Sequence, residues 1–236
     1  MPNMTMTRTE SVRLDGGSMD LFTWLPESGS GPGIIVIQEI FGVGEYIRDV
    51  AERLAAAGYV VGAPDVFWRF SPGWVSPHDA DGLNASFGKM QQLDVSLAIG
   101  DCTSAAAHLA TLPEVSGGVG VLGFCMGGTL AWGVAGAGDP ACCVSYYGSG
   151  VPTMLDLVDS VTCPTLFQFG NEDQFLPNEG VDALNERIAG KPNFSINVEN
   201  AGHACDNHAN PMFYNEPAAK AGWAKTMAFL GTHLAA

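Results

Sequence analysis

One short segment of this sequence gathers residue types suited to covalent chemistry. Val119 to Gly128 reads VGVLGFCMGG, an apolar run that leads into Gly123-Phe124-Cys125-Met126-Gly127 and then into a stretch of small residues. This is the nucleophile-turn pattern G-x-S-x-G with cysteine in place of serine: a buried strand, a sharp turn, then a helix. The central residue sits in a strained turn that lifts its side chain off the sheet. Residues two before and two after it crowd neighbouring backbone and must be small. A helix starting there points free N–H groups and its positive dipole end at the sulfur. That favours thiolate over thiol, and later an oxyanion over a neutral carbonyl. The plain alternative is a core cysteine beside a tight turn. The other cysteines (Cys102, Cys142, Cys143, Cys163, Cys205) lack the C-x-x-C spacing of a zinc site and read as small buried hydrophobes.

A thiol nucleophile needs a base and a group to orient that base, and both follow along the chain. Leu166 to Pro177 reads LFQFGNEDQFLP. A strand ending at Gly170 would place Asp173 in the loop beyond its carboxyl end, where ligands of open α/β sheets bind. Glu172 is the competing carboxylate, and either could be a turn residue; motif position favours Asp173. His203 lies in VENAGHA, directly after the last expected strand, with Gly202 free to bend the loop. The order nucleophile, acid, histidine is that of triads in α/β-hydrolases. His208 and His233 lie farther from a strand end, and His78 and His108 read as non-catalytic. The spacing of His203, Asp206 and His208 is compatible with metal ligation, but no further ligand cluster accompanies it. No metal and no cofactor is expected.

The elements that must position these residues alternate strand and helix. Strands are expected at Met19 to Leu25, Gly33 to Gln38 (a continuous β-branched run), Tyr59 to Ala63, Gly118 to Phe124, Cys142 to Tyr147, Thr165 to Phe169 and Phe194 to Val198. Helices are expected at Glu45 to Ala57, closed by Gly58, and at Val95 to Leu109, Gly127 to Ala137, Val181 to Ala189 and Ala218 to Leu234. Between Asp65 and about Gln92 the periodicity fails among Pro72, Gly73, Pro77, Gly82 and Gly88, and the stretch reads as an irregular loop, either a functional lid or a surface excursion. Repeated β-then-α units predict an α/β fold: a mainly parallel central sheet with helices on both faces. No Pro- or Ser-rich linker divides residues 1–236, so one domain is expected.

Composition narrows the partners. Hydrophobic residues make up 47% of the chain and charged ones 15%, enough apolar material for a substantial core. The formal charge of −15 and the absence of a basic run argue against nucleic acid and anionic membrane surfaces. No apolar run is long enough to span a bilayer, and the N-terminus lacks the apolar stretch of a secretory signal, so a cytoplasmic location is expected. No sequence feature demands association beyond a monomer.

Taken with Gln38-Glu39-Ile40-Phe41-Gly42, Pro64 to Phe67, Tyr146-Tyr147-Gly148, Gly170 to Asp173 and Gly202-His203, the cysteine turn resembles the dienelactone hydrolases (carboxymethylenebutenolidases) of the α/β-hydrolase superfamily over nearly the whole chain. The resemblance implies an ester or lactone hydrolase with a triad of Cys125, His203 and Asp173. It implies that Glu39 helps deprotonate the thiol when substrate binds, and that the amides of Ile40 and Met126 form an oxyanion hole. Members acting on dienelactone hold its carboxylate with two arginines. The corresponding places here are the stretch near Leu83 and Asn207, and neither is arginine. The expected substrate contacts are therefore Phe41, Trp68, Arg69 and Asn207, with Arg69 as a substitute cation and Trp68, Phe70 and Trp74 as pocket walls. Expected partners are small esters or lactones, possession of a charge on them being left open. A rival reading makes Cys125 a redox-sensing thiol in a non-catalytic relative; a cysteine peptidase or thioesterase is a weaker one.

Overall fold

Eight strands hydrogen-bond into one sheet: Thr7–Leu14 (β1), Gly17–Trp24 (β2), Gly31–Ile37 (β3), Val60–Pro64 (β4), Val115–Phe124 (β5), Cys143–Tyr146 (β6), Thr165–Gly170 (β7) and Phe194–Glu199 (β8). The computed structural model describes residues 7–234. The extreme ends of the chain, including residues 1–6 read above for want of a leader, lie outside the described residues. The strand order is β1-β2-β4-β3-β5-β6-β7-β8. The pairs β1–β2 and β2–β4 are antiparallel, and every pairing from β4–β3 through β7–β8 is parallel. Among the described residues six α-helices accompany the sheet: Glu45–Ala56 (α1), Ala80–Met90 (α2), Val95–Leu109 (α3), Met126–Ala137 (α4), Asn178–Ile188 (α5) and Glu216–His233 (α6), with a 3₁₀ segment at Val151–Asp159.

The central strands are apolar on both faces because helices cover both. Along β3, Ile34 and Val36 pack into one cluster with Tyr46, Ile47, Val50 and Leu54 of α1. Ile35 and Ile37 point the other way, into a cluster with Cys102, Ala105 and Leu109 of α3 and Leu130, Ala131 and Trp132 of α4. The period of two in a strand thus divides one run between two cores. None of the described helices is long and apolar enough to cross a membrane.

The order of strands also decides where chemistry can sit. From β3 the chain moves to β4 on one side and then returns to β5 on the other, leaving a crevice between the carboxyl ends of β3 and β5. Glu39 follows one of these ends and Cys125 the other.

The irregular reading of Asp65 to Gln92 needs correction, because the segment contains α2. Gly82 and Gly88 hide its periodicity in the sequence. The helix is started by Asp79, whose Oδ1 accepts the Gly82 N–H at 2.8 Å. Glycine is required there, since a Cβ would stand 2.0 Å from the Pro77 carbonyl oxygen. Neither β1, whose sequence TRTESVRL is mostly polar, nor the 3₁₀ segment was anticipated.

Candidate active site

Cys125 stands between β5 and α4 with φ 55° and ψ −117°, a conformation costly for any residue with a Cβ. Its neighbours show why the turn tolerates only glycine. A Cβ on Gly123 would lie 1.9 Å from the Gly127 carbonyl oxygen, and one on Gly127 would lie 2.2 Å from that of Ile37. The turn is therefore pressed against the end of β3, next to Glu39 and Ile40. The Cys125 N–H donates to the Tyr146 carbonyl at 3.0 Å, and the Cys125 carbonyl accepts from Gly128 and Thr129 of the first helical turn. Cys125 is partly exposed, whereas the other five cysteines are buried. Burial pushes the Cys142 and Cys205 thiols up to about 12 and holds those of Cys102 and Cys143 well above the ordinary range. Those four stay protonated at neutral pH.

His203 and Asp173 meet beside this turn. Nδ1 of His203 lies 2.7 Å from Oδ2 of Asp173 in a buried hydrogen bond. A carboxylate only accepts, so Nδ1 carries a proton. Asp173 is itself fixed: its Oδ1 accepts the N–H groups of Phe175 at 2.8 Å and Leu176 at 3.1 Å. The rings of Tyr147 and Phe175 contact the imidazole edge-on from centroid distances of 5.1 and 4.9 Å. Burial alone would lower the pKa of His203. The charge of Cys125, hydrogen bonds to Asp173 and Cys125 and the charge of Asp173 outweigh it and raise the value to about 10. Backbone strain gathers here too. Among the described residues, the non-glycine positions with positive φ are Cys125, Tyr147 and Ala204, the last two being in contact with or next to His203.

Glu39 is almost wholly enclosed, at 2% exposure. Its Oε1 accepts from Nδ2 of Asn207 at 2.6 Å and lies 3.0 Å from Nε2 of His78. His78 in turn packs on the ring of Phe41 at 4.3 Å between centroids. Asn207 therefore serves Glu39. His78, set aside in the sequence as non-catalytic, touches the same carboxylate; it comes from the aperiodic segment, where no local signal marks it.

A pocket opens over these groups, lined by Glu39, Ile40, Phe41, Leu83, Phe87, Met90, Cys125, Ser149, Phe175, His203, Ala204, Asn210 and Phe213. Its walls are mainly aromatic and aliphatic, and neither lysine nor arginine is among them. Leu83, Phe87 and Met90 come from α2.

Trp68 and Arg69 do not line this pocket, contrary to expectation. Arg69 grips Asp101 of α3 with both arms of its guanidinium, at 2.7 and 2.8 Å, and donates to the Asp15 carbonyl at 2.9 Å. Trp68 donates from Nε1 to the same Asp101 at 2.9 Å. Phe70 and Trp74 pack against the core outside the pocket. Asp101, thirty-two residues beyond Arg69 in sequence, is the partner that composition could not foretell. Asp206 accepts from the Tyr46 hydroxyl at 2.8 Å, and His208 lies against the Tyr46 ring. No group of three or more His, Cys, Asp or Glu among the described residues is arranged to hold a metal ion.

Comparison with known proteins agrees with this architecture. The pattern of the dienelactone hydrolase family matches residues 19–234. A carboxymethylenebutenolidase of a Pseudomonas species is 33% identical over 226 residues, covering 94% of each chain. That of Pseudomonas putida is 31% identical over 201 residues, covering 83% of this chain and 85% of the relative. A solved structure of a candidate dienelactone hydrolase from Klebsiella pneumoniae superposes with a TM-score of 0.83 at 26% identity, covering 97% of this chain and 99% of the other. An esterase of Pyrococcus furiosus shares the fold at a TM-score of 0.71 and 17% identity, over 98% of this chain and 92% of its own. With its eight-stranded α/β-hydrolase sheet and a family match that runs from β2 to the end of α6, this chain belongs to the dienelactone hydrolase family.

Proposed function

We propose that the chain hydrolyses a carboxylic ester or lactone by acyl transfer through Cys125, with His203 as acid and base and Asp173 as its orienting carboxylate. The observation that carries this reading is the imidazole of His203, held by buried Asp173 and sharing a mainly apolar pocket with Cys125. The names borne by the relatives, carboxymethylenebutenolidases, agree with the reaction class.

In the first step the Cys125 thiolate attacks the carbonyl carbon, and the displaced π pair settles on the oxygen. The amides of Ile40 and Met126 are the donors assigned to that oxyanion. Met126 opens α4, so its N–H lacks an intrahelical acceptor and the helix dipole adds to its pull. Collapse breaks the C–O bond, and the alkoxide takes a proton from His203, leaving a thioester. Water then gives a proton to His203 and attacks the thioester carbonyl, and the thiolate departs. Glu39, enclosed beside Cys125, is assigned the removal of the thiol proton as substrate enters and its return to the sulfur when the thiolate departs. Asn207 and His78 hold its Oε1 meanwhile. Phe41 forms part of the wall against the acyl group. Without a lysine or arginine in that wall to pair a second carboxylate, neutral acyl groups fit better than carboxylated ones.

The test is steady-state and burst kinetics with p-nitrophenyl acetate beside cis- and trans-dienelactone. The expected result is a burst of p-nitrophenol followed by turnover, with the neutral ester preferred and activity absent from Cys125→Ala. Turnover retained by Cys125→Ala would overturn the assignment.

A further inference from the structure

A buried donor without a protein acceptor belongs to a residue that lines this pocket. Four buried side-chain polar atoms among the described residues have no hydrogen-bond partner: Nε1 of Trp74, Oγ of Ser86, Nε2 of His108 and Nδ2 of Asn210. Of these four residues, only Asn210 lines the pocket that contains Cys125 and His203. Asn210 is 1% exposed. Its amide is not free to turn over, because Oδ1 accepts the Met212 N–H at 3.2 Å. The NH₂ end is thereby fixed as the unpartnered one. Its own backbone carbonyl accepts from Phe213 and Tyr214, which anchors the residue in the loop before α6.

An enclosed amide donor with no protein acceptor costs free energy unless water or a ligand supplies one. We propose that Nδ2 of Asn210 is a substrate-reading donor, and that the substrate is a neutral ester or lactone with an apolar body and a second, uncharged acceptor oxygen (ether, ketone or hydroxyl) separate from the scissile carbonyl. The proposal rests on the hydrolase reading above and gives it a substrate class. The chemistry of the walls points the same way. Phe87, Phe175 and Phe213 suit an apolar body, and the lining holds no lysine or arginine to pair an anionic group, its imidazole, His203, being engaged by Asp173. One amide donor then suits a neutral oxygen, which needs no counter-charge.

The experiment compares matched p-nitrophenyl esters: methoxyacetate, 3-methoxypropanoate and 4-methoxybutanoate against butanoate, pentanoate and hexanoate. The ratio of kcat/KM, ether over alkyl, is measured for the wild type, Asn210→Ala and Asn210→Asp. Taking the ratio of ratios cancels intrinsic ester reactivity and any general loss of folded enzyme. Asn210→Asp keeps the acceptor for the Met212 N–H while removing the donor. The expected result is a wild-type preference for one ether position that falls by about three- to tenfold in both variants, the scale of one neutral hydrogen bond. The change should appear mainly in KM. A ratio that is the same in all three proteins at every ether position would overturn the proposal, as would a fall in Asn210→Ala alone. The same ligand pairs are titrated by calorimetry into Cys125→Ala, where equal affinities for ether and alkyl esters would likewise overturn it. Retained hydrolysis by Cys125→Ala would instead sink the triad reading, so the two failures are distinct.

Discussion

At the scale of single residues, the partnership between Cys125 and His203 makes stability depend on pH in a defined direction. The His203 pKa is about 10 in the folded protein, despite burial that by itself lowers it. Its ordinary value near 6.5 is the value in the unfolded chain. A folded value above the unfolded one means that proton binding favours the native state. This contribution is complete below about pH 6.5 and is lost as pH rises through about 10. The charge of Cys125 is the leading influence raising the value, so Cys125→Ala should remove much of the effect. Melting temperatures measured from pH 6 to 10 should therefore decline more steeply for the wild type than for Cys125→Ala. Parallel curves would show that the thiolate does not hold the His203 proton.

At the scale of elements, the helix α2 decides the shape of the pocket, since it contributes Leu83, Phe87 and Met90 to its wall. Its first turn depends on the Asp79 side chain, and loss of such a cap costs about 1 kcal/mol. Asp79→Ala should loosen this wall while leaving Cys125, His203 and Asp173 on their own strand ends. We expect KM for a p-nitrophenyl alkanoate to rise by roughly two- to fivefold with kcat nearly unchanged, given that scale of cap energy. A fall in kcat with constant KM would place the effect of α2 on the chemistry instead.

The same helix shows where legibility ended. Buried β-branched runs such as Ile34 to Ile37 declare their strands locally, because both faces of the sheet are covered. The cysteine turn is legible for a related reason: its glycines answer clashes with backbone only a few residues away or at the next strand end. Asp173 and His203 likewise follow the ends of β7 and β8, and their short hydrogen bond follows from parallel neighbours ending side by side. The contact between Asn207 and Glu39 spans 168 positions and depends on how a loop closes over the sheet. That of Arg69 with Asp101 joins a loop to the side of α3. No local pattern encodes either pairing, and an aromatic and a cation close together in sequence invited a pocket role that packing did not give them. The edge strand β1 was hidden by its polar composition, and α2 by its glycines, of which Gly82 is required for close approach at its start.

At the scale of the whole molecule, the charge of −15 joins the composition of the pocket wall in selecting substrates. The cation expected to serve the pocket is drawn elsewhere: Arg69 lies on Asp101. An anionic ester must then approach through a negative field and enter a pocket with no lysine or arginine to pair its carboxylate. Salt separates the two barriers, because it screens the long-range field while leaving the enclosed pocket little changed. The Debye length falls from about 30 Å at 0.01 M to about 8 Å at 0.15 M ionic strength. For mono-p-nitrophenyl adipate, kcat/KM should rise by roughly two- to fivefold over that range, as expected for weakened repulsion on approach. For p-nitrophenyl hexanoate, of the same chain length and uncharged, it should stay constant. The adipate ester should remain the poorer substrate even at high salt, since the absence of lysine and arginine is a property of the wall. If the adipate matched the hexanoate once the field was screened, an anion-binding group within reach of the pocket would have to be found, and the preference for neutral acyl groups would fall with it.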